Sequence, residues 1–354
     1  MKSVQRHTSP VIHTDRWPLI LLVGCLAVIL LASCQNRLPR GCPKDCVGVD
    51  LTGSNLDAVD FSGANLIDAN LSKASMVKSD LSKADLRGAR LEESNLEGAD
   101  LREALLIGVN LKLTNLRNTK LQGANLSGSD LENAKLTRVD LSNTLLQGVS
   151  LVKAELIGSI LNGADLSGVD MVLADLSGAN LYQANLNGGV LSQADLSGVK
   201  AGQSKMSGIW GNLSKMVGAD FSGADLSGDN LFGADLTGVN LNGAKLNGAM
   251  MVGANLSGAD LRGADLSGAV LTLPVPPGSG PNFSYDTLKG DKLRLALANT
   301  AIARALFDPI VIDLPESRLR PFLKDTVFQG VLYDDQTIWP LGFEIPASAI
   351  YSPE

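Results

Sequence analysis

A five-residue period constrains this chain more than any other feature. Counting in fives from Leu51 to Leu271 gives 45 units, and in 43 of them the counted residue is Leu, Met or Phe. Only Ala201 and Gly211 depart. Two residues before each of these centres, 43 of 45 positions hold Ala, Ser, Thr, Val or Gly; Ile209 and Asp229 are the exceptions. The position between is Asp or Asn in 28 units, and Gly stands two residues after the centre in 26. A period of five matches neither the 3.6 of a helix nor the 2 of a strand. It suits a chain that turns once per unit and stacks coil on coil. One large and one small apolar residue per unit then face inward, and three face water. The glycines supply the positive φ that tight turns require.

Units such as Ala84-Asp85-Leu86-Arg87-Gly88 and Ala264-Asp265-Leu266-Ser267-Gly268 resemble the pentapeptide-repeat family, whose pattern is A-(D/N)-L-X-X. The resemblance implies a mainly β fold: a right-handed quadrilateral parallel β-helix with four units per coil and about eleven coils, some ~50 Å long at ~4.8 Å per coil. Each coil in such a solenoid touches only its neighbours, so both ends need covers. Residues 42–50 are expected to form the first cover, and the sequence after Leu271 the second.

Four units per coil place residues twenty apart in one column, so the faces can be read. One column stacks Asp60, Asp80 and Asp100 before Lys120 and Asn180 dilute the charge. Another, through Asp165, Asn185, Lys205, Asp225, Lys245 and Asp265, mostly alternates in sign. A third face is apolar at positions that should point outward: Val172, Leu173, Val190, Trp210, Leu213, Phe232, Met250, Val252 and Val270. Earlier on that face the same positions hold Arg90, Glu92, Glu93, Asp130 and Glu132. Such a patch marks a contact. The chain's own tail, a protein partner or a second copy in a homodimer would each fit it. Residues 201–215 are the weakest repeats, and any insertion there must add a multiple of five. Asp229, at an inward position, is expected to bond a turn amide.

At the amino terminus Lys2, Arg6 and Arg16 precede an apolar run from Trp17 to Leu31. The run is short for a span of ~20 residues and suits a signal segment. It ends in Leu31-Ala32-Ser33-Cys34, which resembles a bacterial lipoprotein signal. The resemblance implies a removable segment 1–33, lipid on Cys34, a tether over 34–45, and a place in the cell envelope outside the cytoplasm. Gln35, rather than Asp, favours the outer membrane in an organism with two membranes. Cys42 and Cys46 either close a small disulfide in an oxidising compartment or stay as thiols.

The repeat domain is expected over 46–273, followed by a Pro/Gly linker at 274–284 and a small α+β tail over 285–354. Leu288, Leu295, Ile302 and Leu306 recur at helical spacing between Tyr285 and Phe307. Thr326–Tyr333 and Gln336–Trp339 are expected to pair as a hairpin. Tyr333-Asp334-Asp335-Gln336-Thr337-Ile338-Trp339-Pro340-Leu341-Gly342-Phe343 is similar to a Y-D-x-x-T-x-W-P-x-G-F segment that recurs in pentapeptide-repeat proteins. Tyr333, Trp339 and Phe343 are read as tail core, with an aromatic ligand pocket as the other reading.

Two His and four Cys leave little material for metal or imidazole chemistry, and a net charge of −7 argues against a basic nucleic-acid surface. No nucleophile–base pair or phosphate-binding loop is visible. The sequence therefore reads as a non-enzymatic, membrane-anchored interaction module without cofactor, metal or nucleic acid, binding a protein partner that it does not identify. The alternative is a DNA mimic that binds a topoisomerase. The export signal and the modest acidity, 25 Asp and Glu against 17 Lys and Arg over residues 50–271, disfavour it.

Overall fold

A computed structural model of the chain describes residues 38–272 and 324–353. The expected signal 1–33, Cys34, the linker and the helix of the tail lie outside the described residues. Within the unit Arg40–Glu354, the described residues form a right-handed quadrilateral β-helix. Parallel bridges join residues twenty apart without a break, from Asp45↔Asn65 to Met250↔Val270. The register holds through the weakest repeats, as Val190↔Trp210 and Trp210↔Asn230 show, and nothing loops out there.

One unit explains the rest. The amide of a centre bonds up to the next coil, as Leu66 N–H does to the Asp85 carbonyl at 2.7 Å. The residue before a centre bonds down, as Asp85 N–H does to the Ala64 carbonyl at 2.9 Å. A four-residue turn then closes, for example from Ala64 N–H to the Phe61 carbonyl at 2.9 Å. Its third residue has positive φ throughout the described rod, whether glycine (Gly63, 63°) or not (Leu113, 58°; Lys153, 56°). Positive φ at that place is the type II turn requirement.

The Asp and Asn before the centres have a local task. Their Oδ1 accepts the amide two residues on, as from Ser62 to Asp60 at 2.9 Å and from Ser167 to Asp165 at 3.1 Å. These Asx bonds pin each corner. Inside, the Leu centres are fully buried, with Ala or Val packed beside them. Where the small residue is Thr, its hydroxyl donates to a carbonyl of the coil before, as Thr114 does to Leu91 at 3.0 Å. Thr119 and Thr144 do the same to Leu96 and Leu121, whereas the inward Ser94, Ser159 and Ser204 hydroxyls are buried without a partner among the described residues.

The amino-terminal end starts one unit earlier than the centres counted from Leu51. Cys46 is itself a buried centre, and its amide bonds the Asn65 carbonyl at 2.8 Å. Cys42 and Cys46 are joined by a disulfide with their Cα atoms 5.2 Å apart.

The carboxyl-terminal end corrects the expected hairpin. Thr326–Tyr333 and Gln336–Trp339 do not pair with each other. They continue the solenoid as a further coil, parallel to the last regular one, through Asn255↔Val327, Asp260↔Leu332 and Asp265↔Ile338. Strand β1 (Leu332–Tyr333) pairs in parallel with β2 (Ile350–Tyr351), which begins yet another turn. Phe328 follows Val327 as a centre and is 4% exposed. Its ring lies 5.8 Å from Trp339 and 5.5 Å from Phe343, and Tyr333 lies 5.7 Å from Trp339. Among the described residues no further full coil is bonded beyond this one, and the aromatic rings pack on one another there.

Candidate functional site

Three features stand apart from the regular coil. The first is the apolar face. Its column of residues just after the centres runs Glu92, Lys112, Glu132, Val152 and Val172, all half-buried. Ser192, Asn212, Phe232 and Val252 follow in the same column, each with no exposed area. Thr272 is exposed again. A large side chain at an outward position loses all exposure only beneath a cover. Val172 precedes the strip in the same column, Val190, Trp210, Met250 and Val270 flank it, and all five are half-buried. Phe232 and Val252 therefore do not present themselves to solvent, as their turn positions imply they would. Ser192 Oγ donates to Asn212 Oδ1 at 2.8 Å, while Asn212 Nδ2 is buried without a partner.

The second is Asp229, buried at an inward position. Its Oδ1 accepts the Ile209 amide at 3.0 Å, and its Oδ2 is buried and unpartnered. Burial pushes its carboxyl well above the usual range, against the pull of the Ile209 and Gly208 amides. An acid whose folded pKa is raised stabilises most below its unfolded value, ~3.9, and loses that contribution as pH rises. Asp229→Asn should therefore gain on the parent between pH 4 and pH 7, by up to about 1.4 kcal/mol per pH unit. Urea melts of both proteins at the two pH values measure this. Asp85, Asp100 and Asp260 titrate the opposite way, each held low chiefly by hydrogen bonds from the arginine two residues on. Both proteins share them, so they cancel in the difference. Parallel pH profiles would show that Asp229 is not neutral in the folded rod.

The third is the aromatic end. Tyr333 and Trp339 pack on other rings and do not line the nearby cavity of about 410 Å³, which opens between Val270, Thr272, Leu341 and Phe343. They are part of the closing coil. The sequence reading missed Asp334, whose Oδ1 accepts the Gly263 amide at 2.9 Å and so replaces a missing ladder carbonyl. Among the described residues, no group of His, Cys, Asp or Glu is placed to hold a metal, and no helix is long and apolar enough to cross a membrane.

The surface between these features is mixed in charge. Lys112 bridges Asp130 and Glu132 one coil on, at 3.1 and 3.0 Å, and Lys215 bridges Asp195. The run of three stacked carboxylates is interrupted after Asp100, which Arg102 holds at 2.6 Å with Lys120 at 3.8 Å.

The family model for pentapeptide repeats matches in eight copies, across residues 45–82, 84–123, 94–133, 134–171, 174–209 and 230–268, which is more than half of the chain. The chain is a pentapeptide-repeat protein. The interval between the last two matches holds Gly211 and Asp229, where the coil continues unbroken. Among solved structures the protein is similar to HetL, a pentapeptide-repeat protein involved in heterocyst differentiation regulation from the cyanobacterium Nostoc. The identity is 30% over 67% of this chain and 94% of that one, with a TM-score of 0.27. It is similar to Rfr23 from the cyanobacterium Cyanothece at 35% identity, over 36% and 93% of the two chains, with a TM-score of 0.29. QnrB1, a plasmid-mediated fluoroquinolone resistance protein, matches at 15% identity over 64% and 83%, with a TM-score of 0.26. No curated protein matches the chain.

Proposed function

We propose that this pentapeptide-repeat protein is a non-enzymatic interaction module, held on a membrane of the cell envelope by lipid on Cys34 and offering a stiff rod to a protein partner. The observation that carries the rod half of this reading is the unbroken register from Asp45 to Val270. A solenoid in which every coil is bonded to the next keeps surface residues at fixed spacing, as a scaffold needs. The anchor half rests on Leu31-Ala32-Ser33-Cys34 at the end of the apolar run. Acyl chains contribute ~0.8 kcal/mol per buried CH₂, so more than one holds a protein firmly. If Gln35 acts as the sorting residue in an organism with two membranes, the outer membrane is the destination.

Palmitate labelling followed by fractionation tests the anchor. The parent should take up label and sediment with membranes, and Cys34→Ala should lose both. Equal labelling of parent and variant would sink the anchor. Recovery of the parent from the cytoplasm with its first 34 residues intact would also sink it, and would favour the duplex mimic. The surface is mixed in charge rather than uniformly acidic, with Lys73, Lys112 and Lys215 paired to carboxylates of neighbouring coils, which disfavours that mimic.

A further inference from the structure

We propose that the outer face around Tyr182 is a binding site for a neutral glycan, with the tyrosine ring as its stacking platform. The site is independent of the lipid anchor and of any protein partner.

The ring is held ready. Tyr182 stands just after a centre, so its side chain points out of the rod, and it is 43% exposed. Gly202 holds the same place one coil on and is buried. A Cβ built on Gly202 would lie 3.6 Å from Tyr182 Cδ2, so the ring lies over the glycine backbone. The tyrosine hydroxyl donates to Gln203 Oε1 at 3.0 Å, and Gln183 Nε2 donates to the same oxygen at 3.0 Å. One side of the ring thus rests on the rod and the other meets solvent. A side chain already fixed in this way loses little freedom when a ligand binds.

The surroundings are amides rather than charges. Asn180 Oδ1 accepts the Tyr182 amide at 3.2 Å. Among the described residues nothing bonds Asn180 Nδ2, Gln183 Oε1 or Gln203 Nε2, so donors and an acceptor remain beside the ring. Ile160, one coil before Asn180, is 40% exposed on the same face. Outward positions of this face hold Asp100, Arg102, Glu103, Lys120 and Asp140 in earlier coils and Asp220 in a later one. From Ile160 to Gln203 Lys200 is the one charged side chain at those positions. In a chain of net charge −7 this is a nearly uncharged window.

That combination selects the ligand. A pyranose ring has a face of C–H bonds and a rim of hydroxyls. The C–H face seats on the electron-rich face of an aromatic ring, and the hydroxyls give and take hydrogen bonds with amides. A protein interface needs a contiguous apolar core, and here one ring and one isoleucine stand among amides. A polyanion needs a cluster of cations, and Lys200 stands alone.

Calorimetry and saturation-transfer difference NMR on the full chain test the site. The probes are cellohexaose, maltohexaose and chitohexaose, with trigalacturonate as the charged control. Chitohexaose represents N-acetylated wall glycans, and the other two represent unsubstituted glucans. At least one neutral probe should bind and take saturation from the Tyr182 ring. Tyr182→Ala should weaken that binding by about tenfold or more, with the circular dichroism and melting of the rod unchanged. Tyr182→Phe and Lys200→Gln should stay close to the parent, and Gln203→Ala should lie between. Failure of all three neutral probes to bind would overturn the proposal. So would equal binding by Tyr182→Ala, or a preference for trigalacturonate that Lys200→Gln abolishes.

Discussion

Ile209→Ala should destabilise the middle of the rod by about 2–5 kcal/mol, and Gly211→Leu in the same protein should restore most of the loss. The reason is an exchange of volume within one corner. In most other units the inward position before the centre holds a small residue, commonly Ala or Val, and the centre holds Leu, Met or Phe. Here the large residue is Ile209 and the centre is Gly211. A Cβ built on Gly211 would sit 3.4 Å from Ile209 Cδ1 and 3.1 Å from Leu231 Cδ2. Ile209 therefore occupies the space that a centre fills in other units. Truncating it leaves two small residues side by side and a cavity. Gly211→Leu alone overpacks the corner, at a cost of about 1–3 kcal/mol. The backbone at Gly211 does not have the positive φ of the turn glycines, so the side chain rather than the fold limits the substitution. Denaturant melts of the two single variants and the double variant measure the coupling. Additive losses would show that the two positions do not share a space.

The same corner shows what was legible in the sequence and what was not. The register of 201–215 could be read because a fivefold period tolerates an exchanged pair without slipping. The reason for the exchange could not, since sequence shows that Gly211 is small but not that Ile209 reaches its place. The Asp and Asn before the centres were visible as a preference. Their Asx bonds to the second amide on appear only once the corner is built, at Asp60–Ser62 for example. The apolar face was legible as a column because residues twenty apart share it. Full burial of Phe232 depends on what lies above it, which no periodicity reports.

The tail was read least well, for a physical reason. Phe328 and Tyr333 keep the spacing of five, but Trp339 follows after six and Phe343 after four. The extra residue falls in the turn Asp334–Thr337, where Asp334 also takes the amides of Gly263 and Gln336. One added residue is enough to disguise a coil as two strands and a bend. The aromatic centres disguise it further. Only β2 is bonded beyond this coil among the described residues, and its large rings bury area by packing on one another.

Phe328→Ala should unfasten the carboxyl-terminal end of the rod without unfolding its middle. Phe328 is buried, and its loss removes two ring contacts as well as area, typically about 3–5 kcal/mol for such a truncation. In a solenoid that cost falls on the nearest interfaces, because each coil is held only by its neighbours. The amides that bond the closing coil report it directly. Leu256, Leu261 and Leu266 donate to the carbonyls of Val327, Leu332 and Ile338 at 2.9, 2.8 and 2.7 Å. Their hydrogen exchange should quicken by about a hundredfold or more, while amides such as Leu66 and Leu161 keep the parent rate. Loss of protection spread evenly from Leu66 to Leu266 would mean that the rod unfolds as one cooperative unit. Unchanged protection at Leu256 would mean that the aromatic cluster does not hold the closing coil in place.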